Sequence, residues 1–126
     1  MNIPENLKYT KDHEWIRIEG AFGWVGVTDY AQAELGDIVF VELPKVGAKL
    51  EQGKAFGTIE AVKAVSDLFA PLSGEVVEIN KEVQDSPEVV NKEPFERGWM
   101  IKMKVENADE TRKLLDAAGY AKLIAK

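Results

Sequence analysis

Between Glu14 and Val105 the segments that carry the apolar residues are four to eight residues long, and Gly, Pro or a polar turn ends most of them before a helical period can establish itself. A chain written this way folds into short strands joined by tight turns. Glu14 to Ile18 mixes charged and apolar residues, Glu19-Gly20 supplies a turn, and Phe22 to Val27 continues with aromatic and β-branched residues, which together predict a hairpin. Thr28 is placed to N-cap a short helix, with Asp29 in its first turn and Gly36 where a left-handed cap would end it. The apolar run Ile38-Val39-Phe40-Val41 predicts a buried strand, closed by Leu43-Pro44 and a turn around Gly47. Further strands are expected over Gly53 to Glu60, Val65 to Ala70 and Glu75 to Ile79, separated by the tip Ala61 to Ala64 and the turn Pro71-Leu72-Ser73-Gly74.

From Asp85 to Glu93 the chain is polar, and Pro87 and Pro94 bracket Val89-Val90, which predicts a short helical turn and loop. Gly98 to Val105 resumes alternation, with Trp99, Ile101, Met103 and Val105 on one face and Met100, Lys102 and Lys104 on the other. Asn107 followed by Glu110 resembles a capping box. Thr111, Leu114, Leu115 and Ala118 then follow at helical spacing before Gly119, with Tyr120, Leu123 and Ile124 extending the stripe, so an amphipathic C-terminal helix packed on the β core is expected.

The 126 residues predict one domain spanning 1–126, large enough to bury about two thirds of the unfolded chain's surface. With no cysteine there is no disulfide framework, thiolate metal site or cysteine nucleophile, so redox chemistry would need an attached group. Sixteen basic against 22 acidic residues give a net charge of −6, and no basic stripe follows a phosphate backbone, which disfavours nucleic acid as a partner. No charge-free run approaches the roughly 18 residues of a membrane span, and no leader pattern follows Met1. A cytoplasmic monomer is the expectation.

The only histidine, His13, has no serine in a nucleophile-elbow setting to serve, and the glycines match neither a dinucleotide nor a Walker fingerprint. The acids show no calcium-loop spacing. No residue is therefore assigned as catalytic or as a metal ligand, and the chain is read as a non-enzyme. The informative segment is Gly57-Thr58-Ile59-Glu60-Ala61-Val62-Lys63-Ala64-Val65-Ser66-Asp67. Tight turns recruit Gly, Asn, Asp or Pro, yet this tip carries an apolar residue and a lysine together. Such a tip suits a surface read by another protein, with Lys63 the group acted upon; the plainer alternative is a hairpin lysine kept for solubility.

This segment resembles the attachment site of lipoyl carrier domains, where a hairpin-tip lysine follows a glutamate by three positions, as Lys63 follows Glu60. The resemblance extends along the chain to the glycine cleavage system H protein family. It is carried by Tyr9-Thr-Lys-Asp-His-Glu-Trp15, Val27-Thr-Asp-Tyr-Ala-Gln32, Leu35-Gly-Asp-Ile-Val-Phe-Val-Glu-Leu-Pro44, Glu60-Ala-Val-Lys-Ala-Val-Ser-Asp67, Ser73-Gly-Glu-Val-Val-Glu-Ile-Asn80 and Pro94-Phe-Glu-Arg-Gly-Trp99. Ala61 stands where the family commonly has serine. Val62 and Ala64 flank Lys63 in place of the methionines of biotinyl domains, which disfavours biotin.

The resemblance implies a mostly β, lipoyl-domain-like hammerhead of two antiparallel sheets with short flanking helices. It implies lipoic acid joined by an amide to Lys63, installed by a lipoyl-attaching enzyme and supplying the sulfurs the chain lacks. The implied partners are the PLP-dependent glycine decarboxylase (P protein), the tetrahydrofolate-dependent aminomethyltransferase (T protein) and dihydrolipoyl dehydrogenase (L protein), between which the arm would shuttle the aminomethyl group of glycine. Glu14 and Asp67 match positions that shelter the loaded arm in relatives, while Asp12 stands where they carry serine, and His13 between Asp12 and Glu14 belongs to the same arm cleft, read as a structural or supporting residue rather than a catalyst. A lipoyl relay to 2-oxoacid dehydrogenases would use the same Lys63, and an unmodified adaptor is the remaining alternative.

Overall fold

The computed structural model describes residues 2–125. Among them nine strands form two antiparallel sheets. The strands are β1 (Lys8–Tyr9), β2 (Glu14–Glu19), β3 (Phe22–Val27), β4 (Ile38–Glu42), β5 (Lys49–Leu50), β6 (Ala55–Ala61), β7 (Val65–Phe69), β8 (Gly74–Ile79) and β9 (Ile101–Val105). The larger sheet runs β1-β2-β3-β9-β8-β5 and the smaller β4-β6-β7. Four short helices, α1 (Asp29–Leu35), α2 (Lys81–Asp85), α3 (Val89–Lys92) and α4 (Ala117–Ile124), complete the fold with a 3-10 segment at Ala108–Lys113. The two-sheet β architecture expected from the sequence is present, including a helix at the C-terminal end.

The apolar faces meet in three clusters. Ile16, Val25, Leu72, Val76, Ile101 and Met103 form one around the larger sheet. Val41, Ile59, Leu68, Val83, Val90 and Met100 form a second where α1, α2 and α3 cover the smaller sheet, and Leu43 and Phe56 touch both. A third is aromatic: Tyr120 stacks on Tyr9 at 4.7 Å beside Trp15, Trp24, Phe95 and Trp99. Trp15 fixes this corner by donating its indole N–H to Pro94 O at 2.9 Å.

Thr28 caps α1 as expected, accepting from Ala31 N, and Gly36 ends it at φ 83°. Four expectations need correction. In β4 only Ile38 and Val41 are buried, because a bulge between Ile38 and Phe40 turns Val39 and Phe40 outward. Met100 lies before β9 and is buried in the second cluster, not grouped with Lys102 and Lys104 on a polar face. Glu110 does not close a capping box, since its carboxylate accepts from Ser73 N at 2.7 Å and Ser73 Oγ at 2.8 Å. Thr111 to Ala118 do not form one helix: Leu115 exchanges backbone hydrogen bonds with Tyr9 at 2.8 and 2.7 Å. Asp116 then caps a new helix by accepting from Gly119 N, which places Gly119 inside α4 rather than at a stop. A free strand partner and a strong N-cap outweigh the helical spacing there.

Gly26 lies opposite Trp15 across β2 and β3, and a Cβ on it would approach the indole ring to 2.8 Å. Because that ring is fully buried and hydrogen-bonded, Gly26→Ala should cost about 1–3 kcal/mol in denaturant unfolding, the usual penalty for overpacking. An unchanged midpoint would show that the indole can move.

Candidate functional site

The hairpin of β6 and β7 ends in Ala61-Val62-Lys63-Ala64. Ala61 N–H donates to Ala64 O at 2.7 Å, and Val62 N–H donates to Asp37 O at 3.1 Å, which pins the tip to the loop after α1. Among the described residues the only non-glycine with positive φ is His13, so neither Val62 nor Lys63 is left-handed and the turn needs no glycine. The tip residues are therefore free to serve another purpose.

Lys63 is exposed, with its stem beside α1's terminal glycine. A Cβ at Gly36 would lie 3.4 Å from Lys63 Cε and 3.9 Å from Nζ, ordinary contact distances, so the glycine answers to the positive φ of the cap and not to the lysine. No ion pair found among the described residues uses Lys63, which leaves its amine open to acylation.

Four large apolar side chains near the tip face solvent: Val39 is 49% exposed, Phe40 52%, Val62 77% and Val65 66%. Register explains the grouping, because Phe40 pairs with Glu60 and Glu60 with Val65, putting all three on one face. The next row of that face is Glu42, Thr58 and Asp67. An apolar patch rimmed by exposed acids thus surrounds Lys63, the kind of surface that marks protein contact.

The second feature is Glu14, 2% exposed at the start of β2. Its carboxylate accepts from Thr10 Oγ1 at 2.6 Å and from the β7 backbone at Phe69 N, 3.2 Å. Burial pushes its pKa up to about 8, against the lowering effect of those two hydrogen bonds. Glu14 lines a cavity of about 520 Å³ with apolar walls that include Phe69, Pro71, Leu114 and Leu123. A smaller hollow of about 280 Å³, between α1 and β7, is lined by His13, Leu35 and Ser66. Asp12 borders both, so the two hollows adjoin, one beside α1 and the other holding Glu14.

Of the residues singled out in the sequence, Glu60, Val62, Lys63 and Ala64 gather at the tip, while Glu14 lines the larger hollow, His13 the smaller and Asp12 both. Asp67 lies on the exposed sheet face and lines neither hollow. His13 Nδ1 is 2.8 Å from Tyr120 Oη, with its ring 4.9 Å from that of Tyr30. Sequence reasoning missed Thr10, Gly36 as the lysine's neighbour, the Phe69 N–H and Tyr120. Thr10 alone carries a local signal, a hydroxyl four residues before the carboxyl it binds.

The geometry defines a two-sheet β protein that presents one lysine on a hairpin tip and encloses a buried carboxyl in the wall of a separate cavity. The chain belongs to the glycine cleavage H-protein family, whose family model matches residues 7–126. It is 56% identical over 124 residues to the glycine cleavage system H protein of Bacteroides thetaiotaomicron and 57% identical over 124 residues to that of Bacteroides fragilis. In both comparisons the match covers 98% of each chain. The crystal structure of a glycine cleavage system H protein from Mycobacterium marinum superposes with a TM-score of 0.84 at 40% identity, covering 95% of this chain and 97% of that one.

Glu14 gives the site a pH signature. The folded chain holds its proton to about pH 8, whereas the unfolded chain releases it near 4.5, so the folded state binds more protons in between and loses stability as pH rises through that window. Glu14→Gln has no such proton. The melting temperature of the variant minus that of the parent should climb between pH 4.5 and 8; a flat difference would mean that the carboxyl is solvated.

Proposed function

We propose that the chain, as one unit over residues 1–126, is the lipoyl carrier of the glycine cleavage system and itself catalyses nothing. In this reading lipoic acid is bound through an amide to Lys63, and P, T and L proteins act on it in turn while the chain works as a cytoplasmic monomer. The observation that carries the reading is the exposed, unpaired Lys63 three residues after Glu60, on a tip held rigid by the Val62 to Asp37 hydrogen bond. The residues fit the group: the Lys63 amine is exposed on the tip and enters no ion pair found among the described residues.

Lipoate held by Lys63 would supply a dithiolane, and with it the sulfur chemistry of group carriage and thiol–disulfide exchange that a chain without cysteine lacks. The chain's own contribution is placement and shelter. Backbone hydrogen bonds at the tip fix the attachment point, and apolar walls beside Glu14 exclude water. Glu14, with Asp12 as a further acid, serves as the counter-charge for an ammonium held in the cavity, while Asp67, on the exposed sheet face, takes no part there. At pH 7 a carboxyl of pKa about 8 is mostly protonated, so ionising it for an incoming cation costs about 1.4 kcal/mol. Set against roughly 1.5–3 kcal/mol for a charge-assisted hydrogen bond, this leaves net holding on the order of 1 kcal/mol, weak enough for release.

The exposed patch gives the partner enzymes an apolar contact with an acidic rim, suited to transient docking on basic surfaces. Peptide mass mapping after treatment with a lipoyl ligase and lipoate should find the added mass on Lys63 alone, and Lys63→Arg should fold normally but stay unmodified. Added mass on Lys54 or Lys45, or none on any lysine, would overturn the assignment. Phe40→Ser with Val65→Ser should raise the ligase's KM by about tenfold or more with melting unchanged, given that truncating a buried contact residue costs more than 1 kcal/mol. An unaltered KM would mean that the ligase does not read the patch.

A further inference from the structure

His13 sits where a hairpin loop calls for glycine. His13 N–H donates to Thr10 O at 3.2 Å and Thr10 N–H to Glu14 O at 2.9 Å, so the loop joining β1 to β2 is a turn followed by a left-handed residue. That residue is a histidine at φ 73°, a conformation that crowds a side-chain-bearing residue and lasts where its surroundings enforce it. The next residue along is Glu14, the only acidic side chain found buried among the described residues.

The enforcing contacts come from across the molecule. Tyr120, in the first turn of α4, places its hydroxyl 2.8 Å from His13 Nδ1 and 2.7 Å from Thr28 Oγ1. Thr28 in turn N-caps α1 and donates its backbone N–H to His13 O at 3.0 Å. One hydroxyl therefore joins the loop, the start of α1 and the C-terminal helix. Burial pushes the Tyr120 pKa up to about 12, so it keeps its proton throughout the working pH range. Burial also lowers the His13 pKa, against the raising effect of Asp12 and Glu34, which favours the neutral ring beside that hydroxyl.

We propose that Tyr120 is a positioning residue for Glu14: its hydroxyl, bonded to His13 and Thr28, holds His13 in the left-handed conformation that sets the Glu14 carboxyl in the wall of the cavity. The use made of that carboxyl rests on the carrier reading; the positioning does not. Without the hydroxyl, His13 relaxes to negative φ, the peptide between residues 13 and 14 turns, and the Glu14 side chain leaves Thr10 Oγ1 and Phe69 N for solvent. Glycine at position 13 removes the need, since it adopts the left-handed conformation at no steric cost.

The test uses the unmodified chain and follows the carbon-13 signal of the Glu14 carboxyl during pH titration in the parent, Tyr120→Phe, His13→Gly and the His13→Gly/Tyr120→Phe pair. The acids nearest the site, Asp12 and Glu34, and the lysines bordering the cavity, Lys11 and Lys113, are the same in all four proteins. Tyr120→Phe keeps the stack on Tyr9 and should lower the Glu14 midpoint by about one pH unit or more, towards the ordinary glutamate range. The paired variant should recover the parent midpoint although its melting temperature stays low. A Glu14 midpoint unmoved in Tyr120→Phe, or one that falls and is not restored by glycine, overturns the proposal and makes Tyr120 a packing residue alone. Because no lipoate is involved, either failure leaves the carrier reading as it stands, and that reading fails separately if Lys63 takes no lipoyl group.

Discussion

A carboxyl taken out of water with no cation beside it either gives up its charge or gathers hydrogen-bond donors, and Glu14 does both. Thr10 donates from its own loop, and Phe69 donates a backbone N–H from edge strand β7. One short side chain thereby ties the larger sheet to the smaller in the wall of the cavity. The C-terminal segment supplies the opposite wall: Leu114 and Leu115 lie along it, held by the Leu115 pairing with Tyr9 and the clamp of Glu110 on Ser73. The aromatic corner, the last helix and the hairpin all bear on this one buried acid.

The strands were largely legible because strand formation here follows from local alternation and turn chemistry. Thr28 and Gly36 bound α1 for the same reason, each satisfying helix-end groups with its own chemistry. The failures occur where a distant segment competes with local pattern. Leu114 and Leu115 sit at helical spacing, yet the unpaired edge at Tyr9 takes the backbone of Leu115 and breaks the helix. Val39 and Phe40 read as core because apolar runs normally are, and a bulge with no residue signature turns them outward.

The site divides the same way. Glu60 and Lys63 are one short motif on one hairpin, so spacing and an unexpected turn composition exposed them. Glu14 carries no sign in its own sequence that it is buried; that depends on Thr10, on the β7 backbone and on the C-terminal wall. Tyr120 lies 107 residues from His13, and only the folded chain brings the two together. Attachment chemistry is local, whereas shelter is assembled from distant parts.

The outward turn of Val39 and Phe40 also bears on how the protein behaves in concentrated solution. Strands β4 and β7 are the two free edges of the smaller sheet, and an apolar edge invites pairing with another molecule's edge. Glu42, Glu60 and Asp67 share the face with these residues, and an antiparallel pairing of two copies would bring like charges together in a chain already at −6. The acids thus stand as gatekeepers beside the apolar patch and oppose edge-to-edge pairing of two copies.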